Sequence, residues 1–178
     1  PYGDTPLDNE NVGENIYLNM INRAEKYVYI YTPYLILDQE MIVALCNAAM
    51  SGVDVRIITP GIPDKKMVFL LTRSHYAPLL KKGVRIYEYT PGFLHAKCFV
   101  CDDEYATVGS INLDYRSLYL HFECGAFLYR TPSVAQVLTD MEETFAVSRE
   151  VTLADCQRKH PLGMSMLHAL LRLLAPLL

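Results

Sequence analysis

The apolar residues Val12, Ile16, Met20 and Ala24 recur at intervals of four, which predicts one face of a helix over 8–26. The run 27–34 (YVYIYTPY) is β-branched and aromatic until Pro33 stops it, and reads as a buried strand. Tyr27, Tyr29 and Tyr31 share one face of that strand, a packing pattern. Asp38 then opens a second helix, because its carboxylate can accept from the free N–H groups of a first turn. That helix runs through Met41, Leu45 and Ala49 and ends at Gly52. VDVRIIT (53–59) is a strand closed by Pro60-Gly61. A helical stretch over 64–82 ends at Gly83, and VRIYEYT (84–90) is a third strand. Helices alternating with strands predict parallel neighbours joined by right-handed crossovers.

After residue 90 the rhythm changes. HAKCFVCD and EYATVGS have only Asp103 between them and predict an antiparallel hairpin. The run 118–128 supplies a further strand, Pro132 starts a helix reaching about Arg149, and a Leu-rich segment closes the chain. The predicted fold class is α/β, a mixed, mostly parallel β-sheet flanked by helices on both faces. Residues 1–160 form one domain. Residues 161–178 are expected to form a C-terminal helix, in which Leu167, Leu170, Leu171, Leu174 and Leu178 would crowd together. It carries His168 and Arg172 and is shorter than the roughly 20 apolar residues that span a bilayer. It reads as an interfacial helix or as one that docks on a partner.

Composition narrows the picture. A length of 178 residues suits one domain, and 51% hydrophobic against 20% charged residues excludes a disordered chain. The 16 Lys and Arg against 20 Asp and Glu, a net charge of −4, count against wrapping nucleic acid by bulk charge but leave room for a local anion pocket. Cys46, Cys98, Cys101 and Cys124 lie in apolar strings and read as buried thiols. The C-x-x-C of Cys98 and Cys101 has no second pair and sits in a strand-like run, unlike a zinc or thioredoxin motif. The chain begins at Pro1, not Met, and reads as a piece of something longer.

The candidate chemistry is concentrated in FLHAKCFVCDDEYATVGSINLDYRS (93–117). His95, Lys97 and Asp102 read H-x-K-x4-D, and Gly109, Ser110 and Asn112 follow as G-S-x-N. Residues two apart on a strand share a face, so imidazole and ammonium should stand side by side. The returning strand should bring Ser110 and Asn112 close to them. Imidazole, ammonium, hydroxyl and amide together make an anion-binding cluster that holds a nucleophile or proton carrier. A lysine beside a lone histidine repels a cation, so no metal is expected. Asp102 is out of phase with His95 and should point away from it. The bland readings are a solvated His–Lys surface pair and a turn shaped by Ser110 and Asn112. Phe93 and Tyr115 flank the motif and line either a lipid entrance or the core. His75, His121, His160 and His168 have no partner pattern.

H-x-K-x4-D followed by G-S-x-N resembles the signature of the phospholipase D superfamily, whose members exchange phosphodiester bonds through a phosphohistidine. GSINLDYRSLYLHFE (109–123) is similar to the corresponding run of bacterial cardiolipin synthases, and LLRLLAPLL resembles their C-terminus. The resemblance implies the C-terminal catalytic half of such a synthase. It implies that His95 attacks phosphorus or protonates the leaving oxygen, that Lys97 binds non-bridging oxygens, and that Ser110 and Asn112 donate to them. Glu123 would accept a hydrogen bond from the imidazole, while Asp102 and Gly109 support the backbone. The implied reaction condenses two phosphatidylglycerol molecules to cardiolipin and glycerol with no metal or other cofactor. The implied place is a bacterial cell membrane, with the catalytic domain facing the cytoplasm and phospholipids as partners. Only one H-x-K motif is present, so a second is expected from an N-terminal half or a twofold mate. A homodimeric phosphodiesterase or nuclease and a non-catalytic half-domain are the alternatives.

Overall fold

An eight-stranded sheet separates two helical layers in the computed structural model, which describes residues 1–158. The strands are β1 (Tyr2–Asp4), β2 (Tyr27–Tyr31), β3 (Asp54–Pro60), β4 (Arg85–Tyr89), β5 (Cys98–Cys101), β6 (Tyr105–Gly109), β7 (Glu123–Tyr129) and β8 (Ser148–Val151). The helices are α1 (Val12–Arg23), α2 (Gln39–Met50), α3 (Lys66–Ser74), α4 (Tyr76–Leu80), α5 (Tyr115–Tyr119), α6 (Pro132–Ala146) and α7 (Leu153–Arg158). Across the sheet the order is β1-β7-β6-β5-β2-β3-β4-β8.

The predicted parallel unit is present. β2, β3 and β4 pair in parallel, with Ile30 opposite Ile57 and Ile57 opposite Ile86. Asp38 caps α2 by accepting from the Met41 N–H at 2.7 Å. Gly52 and Gly83, at φ of +98° and +95°, end the two crossover segments in a conformation that side chains resist. The helical stretch over 64–82 is broken into α3 and α4 at His75. Pro78 accounts for the break: in a continuous helix its ring would strike the Ser74 carbonyl, and it has no N–H to donate there.

The sheet is not mostly parallel, which corrects the expectation. Five pairings are antiparallel and two are parallel. Only β2, β3 and β4 are joined by helical crossovers into parallel neighbours; β5, β6 and β7 pair antiparallel in succession. The short edge strands β1 and β8 run antiparallel to their neighbours, β8 being reached from β7 through α6. The β5–β6 hairpin forms as predicted, with Cys98 opposite Val108 and with Asp102 and Asp103 both at positive φ in its turn. The predicted strand over 118–128 is in part the helix α5. Asp114 accepts from the Ser117 N–H at 2.8 Å, an N-cap that draws Leu118 into a buried helical turn before β7 begins. The helix from Pro132 stops at Ala146, and Arg149 lies in β8, bonded to Glu88 of β4 at 2.7 Å.

Helices cover both faces, as expected. Tyr17, Ile21, Met41, Leu45 and Leu79 of α1, α2 and α4 pack over Val28, Ile30, Ile57 and Phe99, and the Tyr17 and Phe99 rings stack at 4.0 Å. On the other face Val134, Met141 and Phe145 of α6 cover Tyr29, Tyr31, Tyr87 and Val100. Tyr27 packs against the edge of this second layer, so the three alternating tyrosines are packing residues. Cys98 and Cys101 face opposite layers, and burial pushes their thiols up to about 11 and about 12. The predicted domain boundary at 160 and the C-terminal helix lie outside the described residues. Among the described residues no helix is long and apolar enough to cross a membrane.

Candidate active site

One edge of the sheet collects the functional loops. β2, β3 and β4 end there; β5 begins there with Cys98 opposite Tyr31; β6 ends and β7 starts there, with Gly109 opposite Gly125. Ligands of open α/β sheets bind outside the carboxyl ends of the parallel strands. The loop 90–97 leaves β4 and must pass the ends of β3 and β2 to begin β5, so it carries His95 and Lys97 across that edge. The Lys97 carbonyl accepts from the Gly109 N–H at 3.1 Å and pins the loop to β6. The loop 110–114 is fixed as firmly. Ile36 N–H donates to the Leu113 carbonyl at 2.8 Å, Leu113 N–H to Thr32 Oγ1 at 3.2 Å, and the Tyr17 hydroxyl to the Ile111 carbonyl at 2.9 Å.

His95, Lys97, Ser110 and Asn112 line a single open cleft of about 540 Å³, together with Tyr34. The structure therefore brings together four of the side chains singled out in the sequence. His95 is exposed, with the Phe93 ring stacked on it at 5.4 Å and the Tyr34 ring edge-on at 6.3 Å. Partial burial and then the charge of Lys97 hold its imidazole below the ordinary value, against an opposing pull from Asp64. The neutral ring, with a free lone pair, therefore predominates at neutral pH.

Lys97 is buried, and its Nζ donates to the His95 carbonyl at 2.6 Å. Burial lowers its pKa, while Glu123 and Asp114 pull it back up. The expected side-by-side strand pair is thus modified. Both residues precede β5 as extended chain, with the ammonium inside and the imidazole toward solvent.

Asn112 donates from Nδ2 to Ser117 Oγ at 2.9 Å, while its Oδ1 is buried and has no hydrogen-bond partner among the described residues. Leaving such a group unmatched costs about 1–3 kcal/mol. Rotating the amide by half a turn lets the Ser117 hydroxyl donate to Oδ1 and turns the NH₂ group to the opposite side. An amide held at one end and unmatched at the other is suited to a ligand oxygen.

Glu123 departs from the expected role. Its carboxylate accepts from the Ser110 hydroxyl, and its other near contact is His121 Nδ1 at 3.9 Å; it does not hold the His95 imidazole. Ser110 Oγ in turn accepts from the Cys124 N–H at 3.0 Å, so this pair links the ends of β6 and β7. A Cβ at Gly109 would collide with the Cys124 carbonyl, which explains glycine there. Asp102 lies at the opposite end of the hairpin. It accepts from the N–H groups of Glu25, Lys26 and Tyr27 at 2.6, 2.9 and 2.8 Å. It supports the backbone and is remote from the cleft.

Sequence reading missed three neighbours. Tyr34 reaches Asp64 with its hydroxyl at 2.5 Å, His121 approaches Glu123, and Ser117 holds Asn112. Only Ser117 left a trace, as the third residue after the cap Asp114. Among the described residues no group of three or more His, Cys, Asp or Glu side chains could hold a metal ion.

Residues 17–145 match the family described as "Cardiolipin synthase, PLD-like domain". A protein of Streptococcus mutans is 53% identical over 178 residues, which are 100% of this chain and 38% of that protein. A cardiolipin synthase of a Geobacillus species is 41% identical over 165 residues, 93% of this chain and 33% of the synthase. The chain thus spans between a third and two fifths of these curated relatives. Among solved structures, the phospholipase D family member Nuc from Salmonella typhimurium aligns with a TM-score of 0.69 at 16% identity, covering 81% of this chain and 93% of Nuc. Phosphatidylserine synthase from Haemophilus influenzae aligns with a TM-score of 0.70 at 18% identity, covering 92% of this chain and 42% of the synthase.

Proposed function

Because the chain belongs to the PLD-like domain family of cardiolipin synthases, we propose that it forms one catalytic half of a phosphatidyltransferase that makes cardiolipin from phosphatidylglycerol. The observation that carries this reading is the shared cleft, in which a neutral imidazole faces solvent beside a buried ammonium and an unmatched amide. His95 attacks the phosphorus of one phosphatidylglycerol, or else protonates the leaving oxygen. In the first case a P–N bond forms, the bond from phosphorus to the glycerol oxygen breaks, and glycerol leaves with a proton from an acid. The primary hydroxyl of a second phosphatidylglycerol then attacks, giving up its proton to the same acid, now a base, and restoring the imidazole. Lys97 supplies positive charge to the non-bridging oxygens, and Asn112 a donor that strengthens as their charge grows.

Displacing an alkoxide near neutral pH calls for an acid on the face opposite the nucleophile, and one imidazole cannot occupy both places. A second H-x-K motif, from another half of a longer protein or from a twofold mate, fills that role. The membrane is the site of action, with the catalytic half on its cytoplasmic side. A nuclease reading draws less support, since a net charge of −4 opposes a polyanion.

The test uses the whole protein that contains this chain, supplied with phosphatidylglycerol labelled in its headgroup glycerol. Cardiolipin and free labelled glycerol should appear in equal amounts, and His95→Ala should stop both. Equal rates in the two proteins would refute the assignment.

A further inference from the structure

The loop that joins β3 to α3 stands beside the cleft and is built unlike its neighbours. Ile62 and Met67 are 48% and 51% exposed, and Lys65 and Lys66 between them are exposed as well. A single exposed apolar side chain is ordinary. Here two of them bracket two cations, and Phe93, 43% exposed, crosses the same edge of the sheet on the adjacent loop. The Gly61 N–H donates to the Tyr89 carbonyl at 2.7 Å, which joins the roots of the two loops.

The loop's one acidic side chain, Asp64, is exposed but engaged by its neighbours. Asp64 accepts from the hydroxyl of Tyr34, which lines the cleft, at 2.5 Å and from the Lys65 N–H at 2.6 Å. Beyond that tied carboxylate, the exposed side chains of the segment are apolar or cationic. Apolar side chains flanked by lysines suit the boundary between acyl chains and anionic headgroups.

We propose that the segment 61–67, the β3–α3 loop with the first residues of α3, docks on an anionic lipid bilayer, with Ile62 and Met67 entering the interface and Lys65 and Lys66 on headgroup phosphates, so that the cleft opens at the depth of a lipid phosphodiester. The identity of the surface rests on the phospholipid reading above. The Tyr34–Asp64 contact makes the docking productive, because it fixes the loop to a side chain packed edge-on against His95.

The chain has no Trp, so Ile62→Trp introduces a single reporter. With the full chain and vesicles of phosphatidylglycerol and phosphatidylcholine, its emission should shift to the blue and resist an aqueous quencher. Ile62→Ser with Met67→Ser should weaken vesicle partitioning about tenfold or more, with unchanged circular dichroism. Lys65→Gln with Lys66→Gln should flatten its dependence on salt and on phosphatidylglycerol content. An indole that stays accessible to quencher on vesicle-bound protein overturns the proposal. So does normal partitioning of the Ser double variant, which would place docking elsewhere in the chain, or a concentration-dependent blue shift without lipid, which would identify a second copy as the occupant. His95→Ala keeps the two readings separate: lost docking with His95-dependent turnover sinks this inference alone, and docking with His95-independent turnover sinks the catalytic one alone.

Discussion

The ammonium of Lys97 donates to the backbone carbonyl of His95, 2.6 Å away, so the cation of the site also fixes the loop that carries its imidazole. Lys97 is buried just before β5, and its charge adds to partial burial in holding the His95 imidazole down. The ammonium thus acts on the His95 ring through its charge and on the His95 backbone through its hydrogen bond.

Lys97→Met should therefore do two separable things. Loss of the charge should cut turnover about 10²–10³-fold, the scale seen when one preorganised electrostatic group is removed. Burial and the Lys97 charge both hold the imidazole of His95 down, so removing the charge should move its titration upward. Following the ring protons of His95 by NMR checks the second effect without an assay. An unmoved titration would show that Lys97 does not act on the ring.

Asp102 should behave as a structural carboxylate. Against the upward push of partial burial, the N–H groups of Glu25, Tyr27 and Lys26 hold its carboxyl below the ordinary range. Its contribution is then present above the ordinary carboxylate value and is lost as pH falls through the lower folded value. Asp102→Ala should destabilise the fold by about 2 kcal/mol at neutral pH and by less in acid. Urea unfolding at several pH values measures this, and turnover per folded molecule should stay close to that of the parent.

Tyr119 should matter more in alkali than in acid. Its hydroxyl lies 2.5 Å from Glu14 and also reaches Asp38, so it joins two buried carboxyl groups from α1 and the cap of α2. Burial, reinforced by Asp38, holds the Glu14 carboxyl above its ordinary value. Its contribution is thus full below the ordinary carboxylate value and declines as pH rises through the raised one. Tyr119→Phe removes the shared donor and should cost about 1–3 kcal/mol, with the larger loss near pH 8. Thermal melts across the pH range check the sign; a larger loss in acid would contradict it.

Much of this architecture was legible where a side chain has a local duty. Asp38 marked a helix start, Gly52 and Gly83 the ends, and Asp102–Asp103 a hairpin turn, because caps and turns are decided within a few residues. β1 and β8 were not legible. At three and four residues they carry no periodic pattern, and they exist because the sheet offers them an unpaired edge. Leu118 reads as strand from its apolar neighbours, whereas the cap at Asp114 makes it helical in the structure. The site divides the same way. His95, Lys97, Ser110 and Asn112 line one cleft, although the imidazole and ammonium face outward and inward and not side by side, whereas the partner of Glu123 depends on how the ends of β6 and β7 abut, and spacing alone does not encode that.

The central claim is that phosphatidyl transfer depends on the His95 imidazole, as nucleophile or as acid. Brief exposure of the whole protein to phosphatidylglycerol labelled with ³²P, followed by an alkaline quench and peptide mapping, tests it directly. With His95 as nucleophile, an acid-labile, base-stable label appears on the peptide holding His95 and is absent in His95→Ala; with His95 as the acid, the label sits on a second histidine and turnover stops in His95→Ala. Cardiolipin formed at the normal rate by His95→Ala, or a label carried on another residue with turnover intact in that variant, would contradict it.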